Sequence, residues 1–154
     1  MSLSTHQLFD LLNSNSRAVA YRLVEPLSRL LSIAGELCDG DLEQFVLMVA
    51  VSLRSSQHPE FQNLKDADLH GRMVLPGFGT NMRSLAESTG IPRETVRRKV
   101  ALLIARGWVV ADEGTLYYTI DGYRSVEPAR DAIIRMYVRG FEVLGSIQRT
   151  VTIS

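Results

Sequence analysis

A single cysteine, Cys38, leaves the chain without a disulfide framework and without the thiolate groups that zinc sites need. Standing alone, it reads as a small buried apolar residue in a reducing cytosol rather than as a redox sensor. Net charge is missing too. Seventeen Lys and Arg balance seventeen Asp and Glu, which excludes a uniformly basic coat for nucleic acid. No apolar run reaches the roughly 18 residues that cross a bilayer, and no secretory leader is recognisable. A soluble cytoplasmic protein with no membrane partner is therefore expected. Gly-rich phosphate loops, nucleophile elbows and Cys-x-x-Cys pairs are absent, so no enzyme activity, cofactor or metal is expected. Asp66, Asp68 and His70 form a weak metal pattern that reads better as a solvated acidic loop, and His6 and His58 have no evident partners.

What the chain does have is charge unevenly spread. Residues 1–79 hold six basic and nine acidic side chains, and residues 111–154 hold five and six. Between them lie Arg83, Arg93, Arg97, Arg98, Lys99 and Arg106 against only Glu87 and Glu94, a local excess of +4. A confined patch favours one docking face over diffuse adhesion. Charge alone would still favour a solvated helix face with surplus Arg.

Local chain grammar shifts that balance. Asn81 suits the cap of a short helix, and Leu85 and Ala86 face inward from it. Thr89-Gly90 ends this helix, because glycine tolerates the left-handed conformation of a C-terminal cap. Ile91 plugs the turn, and Pro92 stands where a second helix starts. That helix runs from about Arg93 to Arg106 and stops at Gly107. On a helical wheel, Val96, Val100, Leu103 and Ile104 share the packing stripe. Opposite lie Glu94, Arg98, Ala101 and Ala105, with Thr95 and Arg97 on the flanks. Small alanines allow close approach to another surface, while Arg donates bidentately to guanine or phosphate and Thr reaches either. Glu94 either pairs with Arg98 at i,i+4 or accepts from a cytosine amino group.

After Gly107 the periodicity changes to β. Trp108–Ala111 and Leu116–Ile120 are strand-prone, separated by the turn Asp112-Glu113-Gly114-Thr115. Helix, turn, basic helix and hairpin, in that order, is how a winged helix-turn-helix presents one helix to the major groove of DNA. The hairpin tip is acidic, so no strong DNA contact is expected there.

The run SLAESTGIPRETVRRKVALLIARGWVV resembles the winged-helix half of GntR-type bacterial transcriptional regulators, and less closely IclR-type and Crp-type helices. The likeness lies in the Leu-Ala pair, the Gly-hydrophobic-x-Arg-x-Thr-Val-Arg sequence and the closing Gly-Trp-Val. It covers about a quarter of the chain. It implies a DNA-binding fold in which Arg93, Thr95 and Arg97 touch DNA. Arg98 joins them from the wheel, and Arg83, Glu94 and Ala101 complete the candidate DNA-binding set. In GntR-type proteins this domain is N-terminal. Its central position here is similar to MarR-type dimers, whose winged domain lies between dimerising helices, although their basic wing is missing.

The flanks read as helical. Val19, Leu23, Leu27, Leu30, Ala34 and Leu37 recur at helical spacing over residues 16–38, with Pro26 marking a kink or an early break. Asp41–Arg54 reads as a buried helix through Leu42, Phe45, Val46, Val49 and Leu53. His58–Phe78 is a polar connection, with a short strand near Met73-Val74-Leu75 that pairs with the wing. Pro128–Gln148 is a further helix, striped by Ile133, Tyr137, Gly140, Leu144 and Ile147. The expected fold class is mainly α with a small β wing. Its divisions are a helical dimerisation segment over 1–40, a winged helix-turn-helix over 41–122 and a C-terminal helix over 123–154. Two readings of function follow. One is a sequence-specific transcriptional regulator of double-stranded DNA, a homodimer through its terminal helices, with room for a small-molecule effector. The other is a winged-helix protein-interaction module, favoured by the neutral net charge and the acidic wing.

Overall fold

Ser4 opens the first helix by a reciprocal cap, its hydroxyl accepting from the Gln7 N–H while the Gln7 side chain accepts from the Ser4 N–H. The computed structural model describes residues 4–153. Helix α1 spans Thr5–Ser14, α2 Ser16–Leu37, α3 Leu42–Ser56, α4 Pro59–Gln62, α5 Met82–Thr89 and α6 Arg93–Ala105. Strands β1 (Val109–Asp112) and β2 (Thr115–Tyr118) follow, then α7 (Ile120–Ser125) and α8 (Glu127–Ile153). The chain is mainly helical, with one small antiparallel sheet. No helix among the described residues is long and apolar enough to cross a membrane.

The backbone forms two units. One combines residues up to Ile33 with those from Pro128 onward, and the other runs from Ala34 to Glu127. In the first, Val19, Val143 and Ile147 are buried against Leu11, Leu12 and Leu23, and Arg22 Nη1 donates to Ser146 Oγ at 3.0 Å. Helix α2 continues through the buried Pro26 to Leu37, so that proline does not break it. Much of this unit's apolar surface faces outward. Tyr21, Val24, Leu27 and Leu31 of α2 and Ile134, Tyr137, Val138 and Phe141 of α8 are all exposed.

The second unit holds the larger core. Leu47, Met48 and Val51 of α3 meet Leu85 of α5, Val96, Val100 and Leu103 of α6, and Val109, Leu116 and Tyr118 of the sheet. Helix α3 buries a different face from the one its sequence suggests. Leu42, Val46, Val49 and Leu53, read as buried, are its exposed stripe, and Phe45 is half-buried. The helix is apolar on two sides and its neighbours cover only one, which periodicity cannot choose between.

Val109 pairs with Tyr118 and Asp112 with Thr115, joined by the two-residue turn Glu113-Gly114 at φ 46° and 82°. Positive φ at both positions is the type I′ turn, whose twist matches that of the strands. No strand forms at Met73-Val74-Leu75; the segment touches the hairpin end only through isolated antiparallel bridges, Val74 to Thr119 and Thr80 to Leu116. Leu75 N–H donates to the Tyr118 carbonyl at 2.9 Å, and Thr80 exchanges two bonds with Leu116. The second strand ends sooner than its β-prone sequence suggests. Thr119 instead caps α7, its Oγ1 accepting from the Gly122 N–H at 2.9 Å. Gly122 is required there, since a Cβ would collide with the Trp108 carbonyl oxygen.

Candidate nucleic-acid interface

Two short helices and the turn between them build the face that carries the candidate residues. Asn81 Oδ1 accepts from the Ser84 N–H at 2.9 Å and fixes the start of α5. Gly90, at φ 71°, takes the left-handed conformation that ends it. Thr89 Oγ1 donates to the Leu85 carbonyl and accepts from the Ile91 N–H, closing the turn, while Ile91 is buried beneath it. Pro92 occupies the cap position of α6, and Arg93 is the first helical residue. At the other end, Gly107 N–H bonds the Ile104 carbonyl and Trp108 N–H bonds that of Leu103. This paired arrangement is a Schellman stop.

The buried side of α6 is Val96, Lys99, Val100 and Leu103. Ile104, placed on the packing stripe by the wheel, is exposed, and Lys99 takes the inward position instead. The reason is geometric: Lys99 stands one turn from both Val96 and Leu103, whereas Ile104 lies on the rim. Arg93, Glu94, Arg97, Arg98, Ala101 and Ala105 are all exposed, Thr95 is half-buried at the flank, and Leu102 is exposed beside them. Arg83 is exposed on α5 rather than on α6.

Ion pairing divides these cations into three groups. Arg97 grips Glu94 with two bonds, Nη2 to Oε1 at 2.6 Å and Nε to Oε2 at 3.1 Å. The pair expected between Glu94 and Arg98 is therefore replaced by one at i,i+3. The Arg97 hydrogen bond and charge hold the Glu94 carboxyl below its ordinary range, and Glu94 raises Arg97 in turn. Arg83 is paired likewise with Glu87 at 2.7 Å, which raises it. Such exposed pairs are worth little and exchange readily for another anion. Lys99 and Arg106 form the second group, turned away from the outer face: Lys99 bonds Asp41, and Arg106 bonds Asp39. Arg93 and Arg98 form the third, with no ion pair to any described residue. The +4 excess thus reduces, at the surface, to two uncommitted guanidiniums and two that carry a carboxylate.

No protein-family model, curated protein or solved structure matches this chain. What the face can do follows from its residues. On α6 the unpaired Arg93 and Arg98 and the paired Arg97 are exposed together with the small Ala101 and Ala105, while Arg83 stands on α5. Exposed guanidiniums of this kind can pair with carboxylate or phosphate oxygens. The acidic residues Asp112 and Glu113 at the hairpin tip are exposed and add no cation to this face.

Other candidates from the sequence fall elsewhere. Asp68 Oδ2 accepts from the Lys65 N–H and closes a turn at Asp66–Leu69, and no three His, Cys, Asp or Glu among the described residues could hold a metal. His58, read as partnerless, caps α4 through Nδ1 and tilts against Phe78 at 4.9 Å. Cys38 is buried, and burial pushes its thiol up against the opposing charge of Arg106.

Proposed function

We propose that this chain is a sequence-specific transcriptional regulator of double-stranded DNA, built on a winged helix-turn-helix of GntR-type character with a MarR-like layout. In this reading α5 and α6 are the helix-turn-helix, the β1–β2 hairpin is the wing, and α6 enters the major groove. One observation carries it. The outward side of α6 presents Arg93, Arg97 and Arg98 around Ala101, clear of the chain's own unit. Arg98 and Thr95 would read base edges, Arg93 and Arg83 would hold phosphates, and Arg97 would trade Glu94 for either. The protein is proposed to act in the cytoplasm as a homodimer through α2 and α8, whose outward Tyr21, Leu27, Tyr137 and Phe141 support such an interface. Selection of bound duplexes from a random pool tests this. The reading expects a recovered motif with two related half-sites about 10 base pairs apart or a multiple of that. Recovery of no motif would defeat it.

A second reading has its own support. Leu102 and Ile104 lie exposed on α6, and two of the cations are neutralised by neighbouring carboxylates. A protein-docking face would use those apolar side chains. Binding that is insensitive to salt would favour this alternative.

A further inference from the structure

Lys99 and Arg106 are the cations of the α6 segment that do not serve its outer face, and both end on one short corner. That corner is Asp39-Gly40-Asp41, between α2 and α3. Lys99 Nζ bonds the Asp41 carboxylate and lies 3.2 Å from Glu43 Oε2. Arg106 Nη1 donates to the Leu37 carbonyl at 2.8 Å, Nη2 bonds Asp39, and the guanidinium sits 5.0 Å from the centre of the Trp108 ring. The corner is itself tied down. Gly40 N–H donates to the Gly35 carbonyl at 2.7 Å and Asp41 N–H to that of Cys38 at 2.9 Å. Asp41 divides its two oxygens, Oδ1 accepting from the Gln44 N–H to cap α3 and Oδ2 holding Lys99.

We propose that this corner is a two-point latch that sets the rotation and height of α6, with Lys99, Arg106 and Asp41 as positioning residues. Its second point is the part-buried bond from Arg106 to the Leu37 carbonyl, since Asp39 is 83% exposed and its pair adds little. Its consequence for DNA rests on the reading given above; its mechanical content does not. Directionality is what such a latch adds. Val96, Val100 and Leu103 hold α6 by apolar burial, which is non-directional and tolerates a small roll of the helix. Charge-assisted hydrogen bonds lose strength over fractions of an ångström and tens of degrees. Two of them, about two turns apart on one helix, fix both its roll and its axial position. Recognition demands placement within about 0.5 Å and 10–20°. Arg98 is exposed and stands about 100° round the helix from Lys99, so any roll allowed there carries it sideways.

A latch and a direct contact predict opposite results. Asn caps a helix as well as Asp does, so Asp41→Asn keeps the start of α3 and removes only the charge that holds Lys99. If field strength alone mattered, removing an anion near the interface would tighten DNA binding. The latch predicts the reverse. Full-length Asp41→Asn and Lys99→Met should each lower duplex affinity about tenfold, with the slope against salt unchanged. A slope that falls by about one in Lys99→Met would instead mark a lost phosphate contact and overturn the proposal. Independently of DNA, amide hydrogen exchange over α6 should quicken about tenfold in both variants, while that over α5 holds. Exchange unchanged in α6, or raised equally throughout the unit, would overturn the latch. A wild-type protein that binds no duplex at any salt would remove the DNA reading, and the exchange comparison would still decide the latch.

Discussion

Arg98 is the side chain on which the functional reading leans hardest, because it faces outward with no ion pair among the described residues. Arg98→Ala should weaken a selected duplex by about tenfold to a hundredfold and relax preference at one base position, as anisotropy titrations against base-substituted duplexes would report. An equal loss across all sequences would reassign it to a phosphate. Asp41 supports a separate prediction. Burial pushes its carboxyl up, but hydrogen bonds from Lys99 and the Gln44 N–H, with the Lys99 charge, outweigh this and leave it below the ordinary range. A carboxyl depressed in the folded state contributes stability that is complete above its unfolded value and disappears as pH falls through the folded one. Melting temperature should therefore drop below about pH 4 more steeply in the wild type than in Asp41→Asn. Parallel curves would show that the pair contributes nothing to acid sensitivity. Legibility at this scale followed range. Asn81, Gly90 and Gly107 act on backbone within a few residues, so their roles could be read directly. The role of Lys99 depends on an acid 58 positions away, and nothing local announces it.

At the scale of elements, α5, the turn and α6 were readable because caps, glycine and proline each constrain the backbone for a stated steric reason. Helix α3 was readable as a helix but not by face: two apolar stripes compete, and only packing against α5, α6 and the sheet selects Leu47, Met48 and Val51. Helix α7 was hidden in β-prone sequence, because Thr119 turns the chain by capping Gly122 where Ile120 would otherwise extend the strand. The hairpin carries its own test. Glu113 sits at φ 46°, a conformation that suits Asn better than Glu. Glu113→Asn should raise the unfolding free energy by about 0.5–1 kcal/mol, seen as a higher denaturant midpoint at unchanged slope. A lower midpoint would mean that the Glu113 side chain makes a contact worth more than the turn strain.

For the whole molecule, the proposed homodimer rests on the imbalance between a small core and a broad apolar surface in the unit formed by the chain ends. Val19, Val143 and Ile147 are its buried centre, whereas Tyr137 remains 65% exposed and Phe141 73%. Because Tyr137 is already in solvent, Tyr137→Asp should leave thermal stability of the isolated chain nearly unchanged and abolish the proposed homodimer in sedimentation velocity, where a wild type that is itself monomeric would remove that proposal. A variant that stays dimeric would move the interface elsewhere. Two-fold symmetry would place two copies of α6 on paired half-sites, which is how a single helix with few cations gains affinity and selectivity.

The most direct measurement is a salt series of duplex binding by the wild type and Arg98→Ala, on a sequence recovered by selection. Groove binding by α6 predicts that log affinity falls linearly with log salt in the wild type, and that the variant binds more weakly at every salt concentration. Binding independent of salt, or identical curves for the two proteins, would contradict it.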